Sequence, residues 1–159
     1  MKIKILCIGK IKEKYLNEGI NEFLKRLKVY AKVDIVEKKE ERISESPSQA
    51  EIDSVLESEG LSMLKEISSD DYVIILDLHG KEVDNLEFLK LFDKAMVDGQ
   101  SSFVFVIGGS YGISEDLRKR ADFKWSFSKL TFTHQMIRLL LVEQIYRTFR
   151  IKHNQPYHK

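Results

Sequence analysis

Three groups of residues in this 159-residue chain have side chains or spacings that could do chemistry. In GGSYG, Gly108 and Gly109 close an apolar run and Gly112 follows. Glycines there permit positive φ and let backbone come close to a bound molecule, although a tight turn into a helix needs the same residues. Further on, Glu143 and Arg147 stand four apart on a helical pattern and can pair across one turn. Such a pair is either an ordinary surface contact or, pointing into a cleft, a carboxylate that orients a guanidinium toward an anion. The chain closes with HNQPYHK, which packs Pro156, Tyr157, His158 and Lys159 into its last four positions. Terminal residues are poorly ordered unless something ties them down, so this ending is either a free basic tail or a segment with something to touch.

Other chemistries lack their patterns. A dinucleotide fingerprint clusters glycines after the first strand, where GKIKEK has only one, and a phosphate-binding loop follows its last glycine with Lys and then Ser or Thr. No carboxylates are clustered for a metal, and no metal is expected. The lone Cys7 lies in IKILCIG, the setting of a buried, inert thiol, and cannot form an internal disulfide. A second turn, DLHGK, contains His79, either a loop histidine or a ligand contact, and Gly80.

These residues need elements to position them. KIKILCIG reads as a first strand, VDIVE at 33–37 as a second, and YVIILDL at 72–78 and FVFVIG at 103–108 as strands covered on both faces, the 72–78 run central in the sheet. Between them, Ile20, Phe23, Leu24 and Leu27 recur at helical spacing from Tyr15 onward. Ser48 and Glu51 form a capping box for a helix with Ile52, Val55, Leu56, Met63, Leu64 and Ile67 along one side and a weakening Gly60. Leu86, Leu89, Phe92 and Met96 mark a helix near 85–98, reached through the loop HGKEVD. A short helix from Ser114, a brief strand KWSFS and a last helix over 134–149 follow. The polar run 38–48 offers almost nothing to bury and reads as a mobile loop. Strands alternating with helices give an α/β fold, a mostly parallel sheet with helices on both faces, as one domain over 1–159. The last helix has apolar residues around nearly its whole circumference, so it is either buried within the domain or covered by a second copy of the chain.

Charge is uneven. Residues 1–117 carry 16 Lys+Arg against 23 Asp+Glu, while 118–159 carry 10 against 2. A basic segment on an acidic body points to a polyanionic partner, or else to a basic face that meets only water. There is no leader pattern at the N-terminus and no long uninterrupted apolar stretch, so a cytoplasmic location away from membranes is expected.

FVFVIGGSYGIS, SFSKLTFTHQMIRLLLVEQIYRTFRI and HNQPYHK, together with the opening KIKILCIGK, resemble the motifs of small SPOUT-class methyltransferases that modify N3 of a pseudouridine in a loop of large-subunit ribosomal RNA. The resemblance spans essentially the whole chain. It implies a deep trefoil knot in the C-terminal half, a homodimer, and S-adenosylmethionine as cofactor. By motif, Leu76, Gly108, Phe127, Ser128, Lys129, Leu130, Thr131 and Phe132 line the cofactor. LHGK departs from the proline some relatives carry before this glycine, and His79 there changes the loop's rigidity.

Under that resemblance Tyr157 and His158 reach the other subunit's cofactor, Pro156 stiffens the approach and Lys159 meets RNA phosphate. Methylating an imide nitrogen requires losing its proton, so the site needs an acceptor and a cation for the resulting anion. His158 or Glu143 takes the proton, Arg147 holds the anion or a phosphate, and Tyr157 stacks on the base or donates to its carbonyl. The substrate is large-subunit rRNA in the assembled ribosome or alone. A dimer that binds RNA or ribosomes without turnover is the alternative, and a nucleotide hydrolase at the Gly108 turn lacks its lysine.

Overall fold

A computed structural model describes residues 1–157. Within them the strands are β1 (Lys2–Ile8), β2 (Lys32–Lys38), β3 (Tyr72–Glu82), β4 (Ser102–Ile107) and β5 (Phe123–Ser126). The helices are α1 (Lys14–Leu27), α2 (Gln49–Leu64), α3 (Asn85–Val97), α4 (Glu115–Arg120) and α5 (Met136–Lys152). The sheet is parallel throughout, in the order β2-β1-β4-β3-β5.

The two-residue period of a strand sorts the apolar runs between two cores. Ile3, Ile5, Cys7, Ile74, Phe103, Phe105 and Ile107 pack with residues of α1, α3 and α5. Their alternates Leu6, Ile8, Val73, Ile75, Val104 and Val106 pack with Met63 of α2 and Leu117 of α4. The aromatic residues go to the three-helix side, where Phe88 stacks on Trp125 at 4.0 Å between centroids and Phe92 meets Phe103 at 4.3 Å. A helix layer on each face explains why these strands read as unbroken apolar runs.

The capping box at Ser48 and Glu51 is present, and Asp84 with Glu87 makes a second at α3. Gly60 is buried, and a Cβ there would collide with the Ser114 hydroxyl, so the glycine that weakens α2 also lets it close on the N-cap of α4. Ile67 lies beyond the end of α2 but still packs on that core.

Three expectations need correction. The central strand is β4, with β3 one place out. The segment HGKEVD is not simply a loop, because β3 runs on to Glu82 and pairs with β5 again after a register shift between Leu76 and Lys81. The segment after β2 has no regular structure, yet polar contacts hold it at Glu40 and Glu41: Glu41 N donates to Glu59 Oε1 at 3.2 Å, Ser58 Oγ to Glu41 Oε1 at 3.1 Å and Ser110 Oγ to Glu40 Oε1 at 3.2 Å.

In α5, Leu141, Val142, Ile145, Tyr146 and Phe149 are buried, while Met136, Ile137, Leu139 and Leu140 are only half-buried within the chain. The same helix carries Arg138 at 1 % exposure, a buried cation in what reads as an apolar stretch.

Candidate active site

Beyond the carboxyl ends of β3, β4 and β5 lies a cleft of about 660 Å³, within the usual size of small-molecule sites. Its walls are residues 76–79, 107–113, 125–128 and 130–135, with Ile137 of α5. The register shift in β3 frees the first wall from pairing, so that Asp77, Leu78 and His79 line the cleft. Where β3 resumes, the strands run so close that a Cβ on Gly80 would sit 2.6 Å from the Lys124 carbonyl carbon.

The second wall is the glycine turn. Gly112 has φ +98° and its N–H donates to Gly109 O at 3.1 Å. A Cβ on Gly108 would collide with the Gly112 carbonyl oxygen. The glycines therefore make a tight turn and line a cleft at once. In the third wall serines close the backbone on itself: Ser126 Oγ donates to Ser128 O at 3.2 Å and Leu130 N to Ser128 Oγ at 3.0 Å. Leu78, Tyr111, Leu130 and Phe132 stay exposed around the cleft, an apolar rim suited to a flat ring.

Two ion pairs, each with one buried partner, brace these walls. The Asp77 side chain is 4 % exposed, accepts from His79 N at 3.1 Å and pairs with Arg118, whose Nε donates to Ile113 O at 3.3 Å. One guanidinium thus ties the β3 bulge to the end of the glycine turn and neutralises a carboxylate that could not stay buried alone. Arg138 donates to Glu37 Oε1 at 2.6 Å and to the carbonyls of Ile8 and Gly9 at 3.4 and 3.1 Å. Gln135 Oε1 accepts from Lys12 N at 3.2 Å. The start of α5, which brings His134, Gln135 and Ile137 to the cleft, is moored in this way to the ends of β1 and β2. Beside Arg138, burial pushes the Cys7 thiol up to about 11 against the pull of the guanidinium, so this cysteine stays an inert thiol.

A second polar cluster lies on α5. Arg147 Nη2 sits 2.7 Å from Glu143 Oε1, the Tyr157 hydroxyl donates to the same oxygen at 3.1 Å, and the Arg147 guanidinium lies 4.9 Å over the Tyr157 ring. The chain reaches this place through a helix-ending turn: Asn154 takes φ +52°, its N–H donates to Ile151 O and Gln155 N to Arg150 O, both at 2.9 Å. This is a Schellman closure with Asn in the left-handed position. It sends the tail back along the helix, where Tyr157 meets the Tyr146 ring edge-on at 5.0 Å. Burial and the Glu143 charge push the Tyr157 phenol above its ordinary range, which keeps it protonated and a donor.

Leu76, Gly108, Phe127, Ser128, Leu130, Thr131 and Phe132 line the cleft, whereas Lys129 does not. Glu143, Arg147 and Tyr157 come together, but not at their own chain's cleft. His158 and Lys159 lie outside the described residues. Asp77, Arg118, Trp125, His134 and Gln135 line the cleft without having been singled out. Asp77 had a signal, since an acid closing the run YVIIL needs a buried partner. Arg118, inside the basic turn RKR, had none.

The chain matches the family model described as "Predicted SPOUT methyltransferase" over residues 1–158. It is similar to proteins of Enterococcus faecalis and Bacillus thuringiensis named ribosomal RNA large subunit methyltransferase H, each 48 % identical over 159 residues and 100 % of both chains. Among solved structures it resembles one from Haemophilus influenzae described as "a probable methylase family protein", with a TM-score of 0.52, 12 % identity and coverage of 99 % of this chain and 70 % of that one, a likeness of fold alone. With the family model matched almost end to end and full-length relatives near half identity, the chain belongs to the SPOUT methyltransferase family.

Proposed function

We propose that this protein is an S-adenosylmethionine-dependent methyltransferase of large-subunit ribosomal RNA and that its target atom is N3 of a pseudouridine in an RNA loop. It acts in the cytoplasm as a homodimer, one SPOUT domain per chain over 1–159, with the cleft loops belonging to a deep trefoil knot. The names of the full-length relatives support the RNA substrate. Among the described residues no helix is long and apolar enough to cross a membrane.

The cleft fits the cofactor. Leu76, Ile107, Phe127, Leu130 and Ile137 offer apolar surface for an adenine ring. The bare Gly108 lets the turn fold tightly against the Gly112 carbonyl, which sets the shape of this wall of the cleft. When bound there, S-adenosylmethionine supplies a methyl group on a positively charged sulfur.

The observation that carries the two-chain reading is the position of Glu143, Arg147 and Tyr157: built and braced, but absent from their own chain's cleft. A second copy uses them. Across the dimer, Glu143 orients Arg147, which holds the developing uracil anion or a neighbouring phosphate. Tyr157 stacks on the base or donates to its carbonyl. With Glu143 Oε1 engaged by both Arg147 and Tyr157, His158 takes the N3 proton.

The test incubates the protein with labelled S-adenosylmethionine and either assembled ribosomes or isolated large-subunit rRNA, followed by nucleoside analysis. Label on one methylated pseudouridine supports the reading. Saturable RNA binding without transfer replaces it with a non-catalytic RNA-binding dimer.

A further inference from the structure

A second cleft, of about 680 Å³, lies between the end of α1 and the start of β2. Leu24 and Val33 give it apolar walls, and Lys25, Lys28 and Lys32 line it with cations. Among the described residues Asp34 is the one carboxylate in its lining, and it sits 3.6 Å from Lys32. Among the described residues Lys25 and Lys28 have no carboxylate partner. Lys2 joins them, since β1 and β2 pair in register with Lys2 beside Lys32.

The charge along the chain sharpens this. Residues 1–34 carry nine Lys+Arg against four Asp+Glu, whereas residues 35–117 carry seven against nineteen. A cluster of like charges on an otherwise acidic body raises the local potential and repels itself until a polyanion relieves it. Its place in the fold adds a second feature. β2 is an edge strand, so the N–H groups on its outer side have no strand partner and can donate to phosphate oxygens. The lysines at the end of α1 also meet the negative end of that helix, which favours cations there and fixes them beside the edge.

This cleft lies at the amino end of the sheet and the methyl-donor cleft at its carboxyl end, about 20 Å away along strands of this length. We infer that Lys25, Lys28 and Lys32 form a phosphodiester-binding groove, a second RNA contact that grips sugar-phosphate backbone away from the modified base. The inference rests on the RNA substrate proposed above. The groove holds the RNA through charge and carries no base specificity.

The test compares the wild type with K25Q/K28Q/K32Q and, as a control of equal charge change, K14Q/K65Q/K90Q, which alters exposed lysines outside the groove. Each protein is titrated with a large-subunit rRNA transcript and with ribosomes across a range of salt concentrations. Losing three phosphate contacts should flatten the slope of log K against log salt by about 2, because each contact to unpaired RNA contributes roughly 0.7. In transfer assays KM for RNA should rise while kcat at saturating RNA and the Kd for S-adenosylmethionine stay unchanged. Equal slopes for the wild type and the groove variant overturn the inference, as do equal losses in both variants, which make the effect one of overall charge. A wild type that binds no RNA overturns the groove and the RNA substrate together. RNA binding through the groove without methyl transfer keeps the groove and removes the enzyme reading.

Discussion

Replacing Arg138 with methionine keeps most of the side chain's length and removes its donors. In the folded chain Arg138 is 1 % exposed and serves three acceptors: Glu37, Ile8 O and Gly9 O. Leaving a buried acceptor unpaired costs about 1–3 kcal/mol. Breaking a fully buried ion pair costs about 3–5 kcal/mol, but the Glu37 side chain is 34 % exposed and can rehydrate, so that figure must be discounted. Among the described residues Arg138 Nε is buried without a hydrogen-bond partner, and its removal returns part of the loss. The balance is about 2–3 kcal/mol, which for a domain of this size lowers Tm by roughly 5–10 °C. The reverse deletion, Glu37→Met, strands the cation itself in the interior. The double variant should therefore be more stable than Glu37→Met alone, a coupling of about 1 kcal/mol or more that denaturant titration of the four-member cycle reads directly. Because Arg138 moors the segment that brings His134, Gln135 and Ile137 to the cleft, calorimetry should also show weaker S-adenosylmethionine binding by Arg138→Met. A variant within about 2 °C of wild type, or a cycle that is simply additive, refutes the account of Arg138 as the brace between β1, β2 and α5.

Gly108→Ala puts a methyl group against the Gly112 carbonyl, so the turn must move; S-adenosylmethionine binding measured by calorimetry should weaken by roughly tenfold or more while the far-ultraviolet circular dichroism stays native. Burial, with Glu40 and Glu41 adding to it, raises the Glu59 carboxyl above its ordinary range. The folded state then binds that proton more tightly than the unfolded one, so Glu59 lowers stability as pH rises from its unfolded pKa through its folded pKa and keeps it lowered above. Glu59→Gln should accordingly melt higher than wild type near neutral pH, with the gain shrinking toward pH ~4. Asn154→Val puts a β-branched residue at φ +52°. It should cost about 1–2 kcal/mol in the tail's closure and loosen Tyr157 from Glu143, seen as greater tyrosine exposure to a quencher.

Much of the fold is legible in the sequence because a parallel sheet covered on both faces writes itself as apolar runs. β1 and β4 have no other reading, and the S-x-x-E box fixes the start of α2. β3 is harder, since His79, Gly80 and Lys81 look like a turn. They are strand because β5 passes close enough to require Gly80, a fact about a neighbour 44 residues away. The segment after β2 looks unanchored because anchoring is usually sought in apolar residues, and here carboxylates and serines do it. In the cleft, the glycine turn shows in the sequence by itself, whereas FSKLTF is readable only through resemblance. The Asp77–Arg118 and Glu37–Arg138 pairs join residues 41 and 101 positions apart, so no local spacing announces them. Arg138 is hidden most thoroughly, one cation in a helix whose other residues there are apolar.

The claim at the centre is that the Glu143, Arg147 and Tyr157 cluster of one chain completes the cleft of another. Mixing two inactive proteins tests it most directly. Gly108→Trp blocks the cleft and spares the cluster; Glu143→Ala does the reverse. After co-refolding, random exchange makes half the dimers mixed, and each mixed dimer has one intact cleft facing one intact cluster, so rRNA methylation should return to roughly a quarter of the wild-type rate. If the two variants remain inactive together while light scattering shows mixed dimers, each site is built from a single chain and the account is wrong.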